Sequence, residues 1–269
     1  MQDRVSVVHR IFTELFSVPN DVFRNIFRLL RFVVRRPTQK SMDFFGRALR
    51  NYQNGDKTSK FSYHQNCIRK RYDGIKFDID LGRYFRLYED LNRLEKKMIG
   101  LIHDKTLDIG CNTGYYIKNL MEHGEVVGLD ISGEIIQIAH ENGLFNCYKG
   151  DIFDYQFDRK FDTITLFESE LAITGSIRHL KKLLRKLKSI LKSEGQVLAI
   201  IRHIHTLKYW NVVYTQEYQG KIGTPFRCCY VNISYLTHIA RKLGYRVEIL
   251  DKEMIGKNTL LFLIMLVNQ

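Results

Sequence analysis

Residues 106–116, "TLDIGCNTGYY", restrict what the chain can fold into more than any other stretch. A short apolar run ends at the acid Asp108 and breaks at Gly110, which is typical of a buried parallel strand that runs into a tight turn. From Tyr116 onward, apolar residues recur at helical spacing until Gly124 ends the pattern. The stretch therefore predicts a strand, a glycine turn and a helix in immediate succession.

The glycine spacing distinguishes two kinds of nucleotide-binding turn. The pattern G-x-G-x-x-G needs glycine at positions 110, 112 and 115, and the chain has Gly110, Asn112 and Tyr115 there. The pattern G-x-G-x-G needs 110, 112 and 114, and only Asn112 departs from it. Asparagine tolerates a left-handed backbone, so Asn112 can hold this turn. At these residues the chain resembles the class I S-adenosylmethionine-dependent methyltransferases, whose first motif commonly reads D-x-G-x-G-x-G.

Two later acids extend this resemblance. Asp130 ends a second apolar strand, where doubly wound nucleotide folds place a ribose-hydroxyl acceptor. Asp151 follows a third strand, and in the family that the chain resembles this position offers an acid to the adenine amino group. Three acids in this order at one sheet edge predict S-adenosyl-L-methionine as the cofactor. The expected cofactor-binding residues are Asp108, Gly110, Cys111, Asn112, Gly114, Asp130, Ile131, Asp151, Ile152 and Phe167.

Strands and helices alternate from about residue 100 onward, which predicts an α/β fold with a doubly wound, seven-stranded, mostly parallel sheet. The first five strands are expected near 105–109, 125–130, 145–149, 161–167 and 196–201. The last two resemble the antiparallel final hairpin of the methyltransferase fold. The chain thus divides into a cofactor-binding domain at 101–269 and an N-terminal helical extension at 1–100. Helices of the extension are expected at 21–35, 42–50 and 83–98.

Positive charge is concentrated in the extension. The formal net charge of the chain is +13, and residues 1–100 hold 21 Lys/Arg against 11 Asp/Glu. Four arginines of the segment 21–36 lie opposite its apolar face, which is typical of helices on anionic membrane surfaces. The same pattern also fits a core-facing helix whose arginines lie in water, which is the default interpretation, and peripheral membrane contact through 21–36 is the alternative. A second basic run, 178–192, indicates either a solvated helix face or an RNA contact.

Several features limit the cellular setting. The longest apolar run has eight residues from Leu260, far short of the roughly 20 that a membrane helix needs, so no spanning segment is expected. The N-terminus lacks the pattern of a secretory signal. The five cysteines form no C-x-x-C pair, which predicts reduced thiols and no metal site. The expected location is cytoplasmic, with possible attachment to a membrane surface.

The acceptor side of the site is less defined by the sequence. The fourth strand brings Glu168 to the sheet edge, and the fifth leads into 202–230, a segment rich in histidine and aromatic residues. The candidate proton acceptors are Glu168, His203 and His205. The candidate walls for an apolar or planar acceptor are Tyr209, Trp210, Tyr214 and Tyr218. The leading hypothesis is methyl transfer to a small-molecule or lipid-like acceptor; an RNA methyltransferase and a non-catalytic binding protein that retains the fold are the alternatives.

Overall fold

Two sheets organise the part of the chain that the structure describes. The structure is a computed structural model, which describes residues 34–67, 73–168, 170–204, 207–255 and 259–269. Its α-helices are α1 (Gln39–Gln53), α2 (Arg93–Ile99), α3 (Ile117–Met121), α4 (Gly133–Glu141), α5 (Ile177–Ile190) and α6 (Ile233–Lys242). Its strands are β1 (Phe61–Cys67), β2 (Ile75–Ile79), β3 (Thr106–Ile109), β4 (Val126–Asp130), β5 (Cys147–Lys149), β6 (Phe161–Leu166), β7 (Leu191–Arg202), β8 (Tyr209–Tyr218), β9 (Lys221–Ile222), β10 (Phe226–Val231), β11 (Tyr245–Ile255) and β12 (Thr259–Asn268).

The larger sheet has seven strands in the order β11-β12-β7-β6-β3-β4-β5. Strands β3 to β7 pair in parallel, whereas β12 pairs antiparallel with both β7 and β11. This arrangement confirms the predicted doubly wound sheet and its antiparallel final hairpin. Strand order reverses between β3 and β6, because β4 and β5 lie on one side of β3 and β6 lies on the other. Ligands of open α/β sheets bind in the crevice at such a reversal.

Helices cover both faces of this sheet. On one face, α5 buries its leucine stripe, including Leu180, Leu184 and Leu187, against the strands. On the other face, Met98 of α2 and Ile117 of α3 belong to a second apolar cluster. Burial of this much branched and aliphatic surface is the main force that stabilises a sheet of this kind.

A second, antiparallel sheet is formed by parts of the chain that are far apart in sequence. Its strand order is β10-β8-β1-β2, with β9 paired to β8; we call it the roof sheet. Strand β1 pairs with β8 from Phe61 opposite Tyr218 to Cys67 opposite Val212. The prediction of a helical extension over 1–100 was therefore wrong for residues 61–67 and 75–79, which form strands. The physical reason is that β1 finds its partner about 150 residues away, which local periodicity does not reveal.

The predicted helices of the extension had different outcomes. The helix expected at 42–50 is confirmed as part of α1, which Thr38 caps by accepting the backbone N–H of Ser41. The helix expected at 83–98 was wrong over most of its length, because only Arg93–Ile99 is α-helical and two short 3₁₀ turns precede it. Leu87 of the expected apolar stripe is 69% exposed, so burial does not favour a longer helix.

The membrane-facing prediction rests on the first part of the chain. The helix expected at 21–35 lies outside the described residues, apart from its last two positions. Among the helices within the described ranges, none has the length and apolarity needed to cross a membrane. Peripheral contact through 21–36 stays a prediction.

Helix α1 connects the extension to the cofactor-binding half of the chain. Gly46 faces α4 so closely that a β-carbon there would lie 2.7 Å from Cβ of Glu134. Asp43 accepts a hydrogen bond of 2.7 Å from the hydroxyl of Ser132, the N-cap of α4. A carboxylate at this position also interacts favourably with the helix dipole. The extension is thereby fixed directly beside the end of β4.

Candidate functional site

The loop between β3 and α3 makes the glycine turn that the sequence predicts. Gly110, Asn112 and Gly114 have φ angles of 76°, 52° and 81°, so all three lie in the left-handed region. The side-chain oxygen of Asn112 accepts the N–H of Thr113 at 2.8 Å, a local bond that stabilises this backbone. Asparagine therefore holds the middle position where the related pattern has glycine, as expected.

The two glycines of this turn have no room for a side chain. A β-carbon on Gly110 would lie 2.8 Å from the carboxyl carbon of Glu170. A β-carbon on Gly114 would lie 2.3 Å from Cδ1 of Leu144. Glycine thus satisfies both the left-handed backbone and the close packing of the turn.

Asp130 joins this turn to the start of α4. It lies buried at the end of β4 and accepts backbone N–H groups from Asn112 at 3.2 Å and from Ser132 at 2.9 Å. Burial raises the pKa of Asp130 to about 6, although both hydrogen bonds act in the opposite direction. The carboxyl is held in place at the sheet edge, where the sequence predicts a ribose acceptor.

Asp108 is a buried acid with one free oxygen. Its side chain is 1% exposed, and its Oδ1 accepts the hydroxyl of Thr165 on β6 at 2.8 Å. Its Oδ2 has no hydrogen-bond partner among the described residues. Burial raises the pKa of Asp108 to about 7. Buried polar atoms are almost always paired, so an unpaired one here indicates a place for a ligand.

Glu168 follows β6 and is fixed by two arginines. Its Oε1 accepts Nη2 of Arg83 at 2.6 Å and Nη2 of Arg86 at 2.9 Å. Arg86 also pairs with the buried Glu95 at 3.0 Å. The predicted proton acceptor Glu168 is thus held in ion pairs. Sequence reasoning missed both arginines, because they lie in the segment that was expected to be a continuous helix.

Glu170 also follows β6, close to Asp108, Asp130 and Glu168. The structure gives its carboxylate no hydrogen bond or salt bridge with any described residue. Burial raises the pKa of Glu170 well above its usual value, and the charges of Asp130, Glu168 and Asp108 add to this shift. The sequence places Glu170 at the correct strand end, but nothing in the pattern there distinguishes it from Glu168.

Asp151 lies beyond β5 and is paired with the extension. Nη2 of Arg36 donates to its Oδ2 at 2.5 Å, and the N–H of Phe153 donates to its Oδ1 at 3.1 Å. The guanidinium of Arg36 also lies 4.4 Å above the ring of Phe153. Arg36 is a neighbour of the expected adenine position that sequence reasoning did not identify.

The remaining expected cofactor residues lie around and beneath the turn. Cys111 is buried, and a β-carbon on Gly128 of β4 would lie 2.9 Å from its sulfur. Phe167 stacks on Tyr116 with 3.8 Å between ring centroids, and Ile152 belongs to the sheet core. Cys111, Ile152 and Phe167 are thus buried in the apolar clusters of the larger sheet, and Ile131 is half-buried.

Of the two candidate histidines, the structure describes His203. The ring of His203 packs edge-on against Phe262, and its backbone N–H donates to the carbonyl of Leu260 at 2.8 Å. His203 therefore lies beside the final hairpin. His205 lies outside the described residues. In the described ranges, no group of three or more His, Cys, Asp or Glu is arranged to hold a metal ion.

The inner face of the roof sheet lies over the strand ends. Tyr63 of β1 and Tyr214 of β8 are 5.4 Å apart between ring centroids, and Trp210 and Tyr230 are 6.0 Å apart. The expected wall residues Trp210 and Tyr214 therefore belong to this face. Two other expected wall residues lie elsewhere: Tyr209 is 44% exposed and stacks on Tyr235, and Tyr218 packs against Phe61 and Asp56.

The strand order, the glycine turn and the acids at the strand ends define the class I S-adenosylmethionine-dependent methyltransferase fold. A family model described as a methyltransferase domain matches residues 106–195. The crystal structure of a SAM-dependent methyltransferase from Bacteroides fragilis in complex with S-adenosyl-L-homocysteine is similar over 86% of this chain and 95% of that one. Its TM-score is 0.70 at 21% sequence identity. Residues 106–195 thus match a methyltransferase-domain model, and the wider part of the chain shares the fold of a methyltransferase.

Two curated relatives are similar over part of their length. An uncharacterized protein of Methanocaldococcus jannaschii is 29% identical over 160 residues, which are 56% of this chain and 60% of that protein. The malonyl-[acyl-carrier protein] O-methyltransferase of Erwinia pyrifoliae is 37% identical over 97 residues, which are 35% of this chain and 36% of that protein. The chain thus spans less than two thirds of each of these relatives.

Proposed function

We propose that this protein transfers the methyl group of S-adenosyl-L-methionine to a small-molecule or lipid-like acceptor. The observation that carries the proposal is the pair of buried carboxyls without a described cationic partner at the glycine turn, Asp108 and Asp130. S-adenosyl-L-methionine has a sulfonium and an ammonium group, so its positive charges match this site. The B. fragilis protein of similar fold binds S-adenosyl-L-homocysteine, which supports the same cofactor here.

Each part of the cofactor has a suitable group among the described residues. Asp130 would accept from the ribose hydroxyls, because its carboxyl is fixed by two backbone N–H groups at the sheet edge. Asp151 would face the adenine end, with Arg36 beside it. The glycines of the turn carry no side chain, so the part of the cofactor beyond its adenine and ribose could approach the backbone closely there. When bound, the sulfonium supplies an activated methyl group.

The chain's own contribution to the reaction is mainly positioning. Methyl transfer from a sulfonium is an in-line displacement, which depends on orientation and on exclusion of water. Arg83 and Arg86 fix Glu168 at the end of β6, next to the turn. The roof sheet covers the same edge with aromatic side chains. Such a face suits an acceptor with an apolar or planar part.

The test of this function follows the label to its acceptor. Methyl-labelled S-adenosylmethionine and the purified protein are added to a cell extract, which is then separated into lipid, nuclease-sensitive, protein and small polar fractions. The Asp130→Ala variant gives the background. Label in the organic or small polar fraction, above that background, is the expected result. Label that disappears on nuclease treatment would contradict the proposed acceptor.

RNA is the second candidate acceptor, because of one surface. Helix α5 exposes Arg178, Lys181, Lys182 and Arg185 and contains no acid. A phosphate-binding face of this kind predicts RNA binding that weakens steeply with salt.

The non-catalytic alternative predicts that the protein does not bind the cofactor. The left-handed backbone of Asn112 and the hydrogen bond from its N–H to Asp130 favour an intact glycine turn instead.

A further inference from the structure

We propose that Glu170 binds and deprotonates the acceptor, and that the acceptor is an amine. The inference rests on the proposed function, since it concerns the acceptor side of the same site. It does not follow from the glycine turn, which concerns the cofactor alone. The position of Glu170, the aromatic residues near it and the unbalanced negative charge of the site all favour an amine.

Glu170 lies between the glycine turn and the roof sheet. It begins the short helix Glu170–Thr174, which follows β6 and packs against β10. On one side, its carboxyl carbon lies 2.8 Å from the position of a β-carbon on Gly110. On the other side, Ala172 of the same helix belongs to an apolar cluster with Tyr214 and Phe226 of the roof sheet. An acceptor bound between the glycine turn and the roof sheet would therefore lie close to this carboxylate.

The roof sheet offers aromatic rings close enough to feel the charge of Glu170 and, beside Tyr63, a buried acceptor without a described partner. Burial raises the pKa of Tyr63 well above its usual value and that of Tyr230 to about 12, and the charge of Glu170 adds to both shifts. Both phenols are therefore neutral near pH 7. Gln216 is 0% exposed; its Nε2 donates to the Tyr63 hydroxyl at 3.4 Å, and its Oε1 has no described partner. Aromatic faces with a nearby carboxylate attract ammonium groups.

The charge balance of the site favours a cationic acceptor. Glu168 is neutralised by Arg83 and Arg86. Asp108, Asp130 and Glu170 have no described cation beside them. The cofactor has two positive groups and one carboxylate, so it brings a single net positive charge to these three acids. An ammonium group on the acceptor would reduce the remaining excess of negative charge, whereas a hydroxyl or a carboxylate would not.

The proton and electron balance of the step is simple. An ammonium group bound beside Glu170 opposes the effect of burial on the pKa of Glu170 and favours its carboxylate form. The ammonium then gives one proton to this carboxylate, which frees the nitrogen lone pair. That lone pair forms the new N–C bond to the methyl carbon, while the C–S bond breaks and its electron pair stays on sulfur. The product nitrogen carries the positive charge that was on the sulfonium. A positioned base of this kind contributes about 10²–10⁴-fold to the rate.

The experiment compares Glu170→Gln with Glu122→Gln, which changes an exposed acid on a different part of the surface. Calorimetry first measures S-adenosylhomocysteine binding to each protein. Phenethylamine and 2-phenylethanol, which share a ring and differ in the amine, are then titrated into the S-adenosylhomocysteine-saturated proteins. Label transfer from S-adenosylmethionine to phenethylamine is measured in parallel.

The expected result has three parts. Wild type and Glu122→Gln bind phenethylamine at least tenfold more tightly than 2-phenylethanol. Glu170→Gln loses that preference and about 10²-fold or more of the transfer rate, while its affinity for S-adenosylhomocysteine stays within about twofold of wild type.

Each contrary result overturns a definite part of the account. Equal or absent binding of the two probes by wild type would overturn the amine class. An affinity for S-adenosylhomocysteine that falls tenfold or more in Glu170→Gln would make Glu170 a cofactor contact and leave the proposed function standing. Failure of wild type to bind S-adenosylhomocysteine at all would overturn the proposed function, and this inference with it.

Discussion

Asp130 and Asp108 are the residues whose chemistry depends most on the fold. Each has an ordinary pKa of 3.8, which burial raises to about 6 and about 7. In this range the unfolded chain releases these protons before the folded protein does. The two carboxyls therefore favour folding below pH 4, and this contribution to the free energy of unfolding is lost as the pH rises from about 4 to about 7.

The ligand reverses this preference, which gives a first prediction. A carboxylate accepts hydroxyl and ammonium hydrogen bonds better than a carboxylic acid does, so binding favours the ionised forms. We expect the affinity for S-adenosylhomocysteine to increase as the pH is raised from 5.5 through the pKa values of about 6 and about 7. Calorimetry at constant ionic strength measures this. An affinity that is flat or falls over this interval would be inconsistent with these two acids at the site.

Arg86 gives a second prediction, on stability. It bonds both oxygens of Glu95, a side chain that is 1% exposed, and one oxygen of Glu168. Arg86→Met leaves Glu95 buried without a cation, so we expect a loss of about 2–4 kcal/mol in the free energy of unfolding. The control is Arg93→Met, whose exposed bidentate pair with Asp251 should contribute far less to the free energy of unfolding, because solvent screens it. Chemical denaturation that gives equal losses for both variants would contradict this.

The sequence predicted the cofactor side of the site better than the acceptor side. Gly110, Asp130 and Asp151 stand at the ends of strands whose apolar runs are visible in the chain, so the sheet topology brings them together. Arg36 and Arg83 of the extension pair with Asp151 and Glu168, and no periodicity of that segment indicates these contacts. Glu170 differs from Glu168 only in its partners, which are a tertiary property.

At the scale of elements, the turn before α3 depends on glycine for two separate reasons, and a matched pair of variants separates them. Gly114 and Gly143 both have φ near 81°, but only Gly114 has a neighbour in the way. We expect Gly143→Ala to cost about 1–2 kcal/mol of stability from the left-handed backbone alone. Gly114→Ala should cost about 1–3 kcal/mol more, because its β-carbon overlaps Leu144. Thermal denaturation measures both, and equal losses would show that Leu144 moves aside freely.

The strands of the larger sheet were predictable and those of the roof sheet were not. Buried parallel strands such as β3 and β4 have continuous apolar runs that end in turn residues. Strand β1 is mixed in polarity, and it is stabilised by pairing with β8, which lies about 150 residues away in the chain. Aromatic residues of 209–230 were expected near the acceptor, but their pairing with 61–67 required the structure.

At the scale of the whole molecule, the extension is part of the site. The carbonyl of Arg35 accepts the backbone N–H of Arg227 in the roof sheet, and the side chain of Arg36 forms the ion pair with Asp151. Helix α1 fixes the start of α4, and the 3₁₀ turn Leu81–Phe85 brings Arg83 to Glu168. Residues of both 1–100 and 101–269 therefore contribute contacts to this edge of the larger sheet.

The most direct test of a cofactor site at this edge is calorimetric titration of S-adenosylhomocysteine into wild type, Asp130→Ala and Asp158→Ala. Asp158 is an exposed acid at the opposite end of β6, with a side chain that is 82% accessible. The account predicts binding by wild type and Asp158→Ala, and binding weaker by about 1.5–3 kcal/mol in Asp130→Ala, because a fixed, charge-assisted hydrogen-bond acceptor is lost. Unchanged affinity in Asp130→Ala, or no binding by wild type, would contradict it.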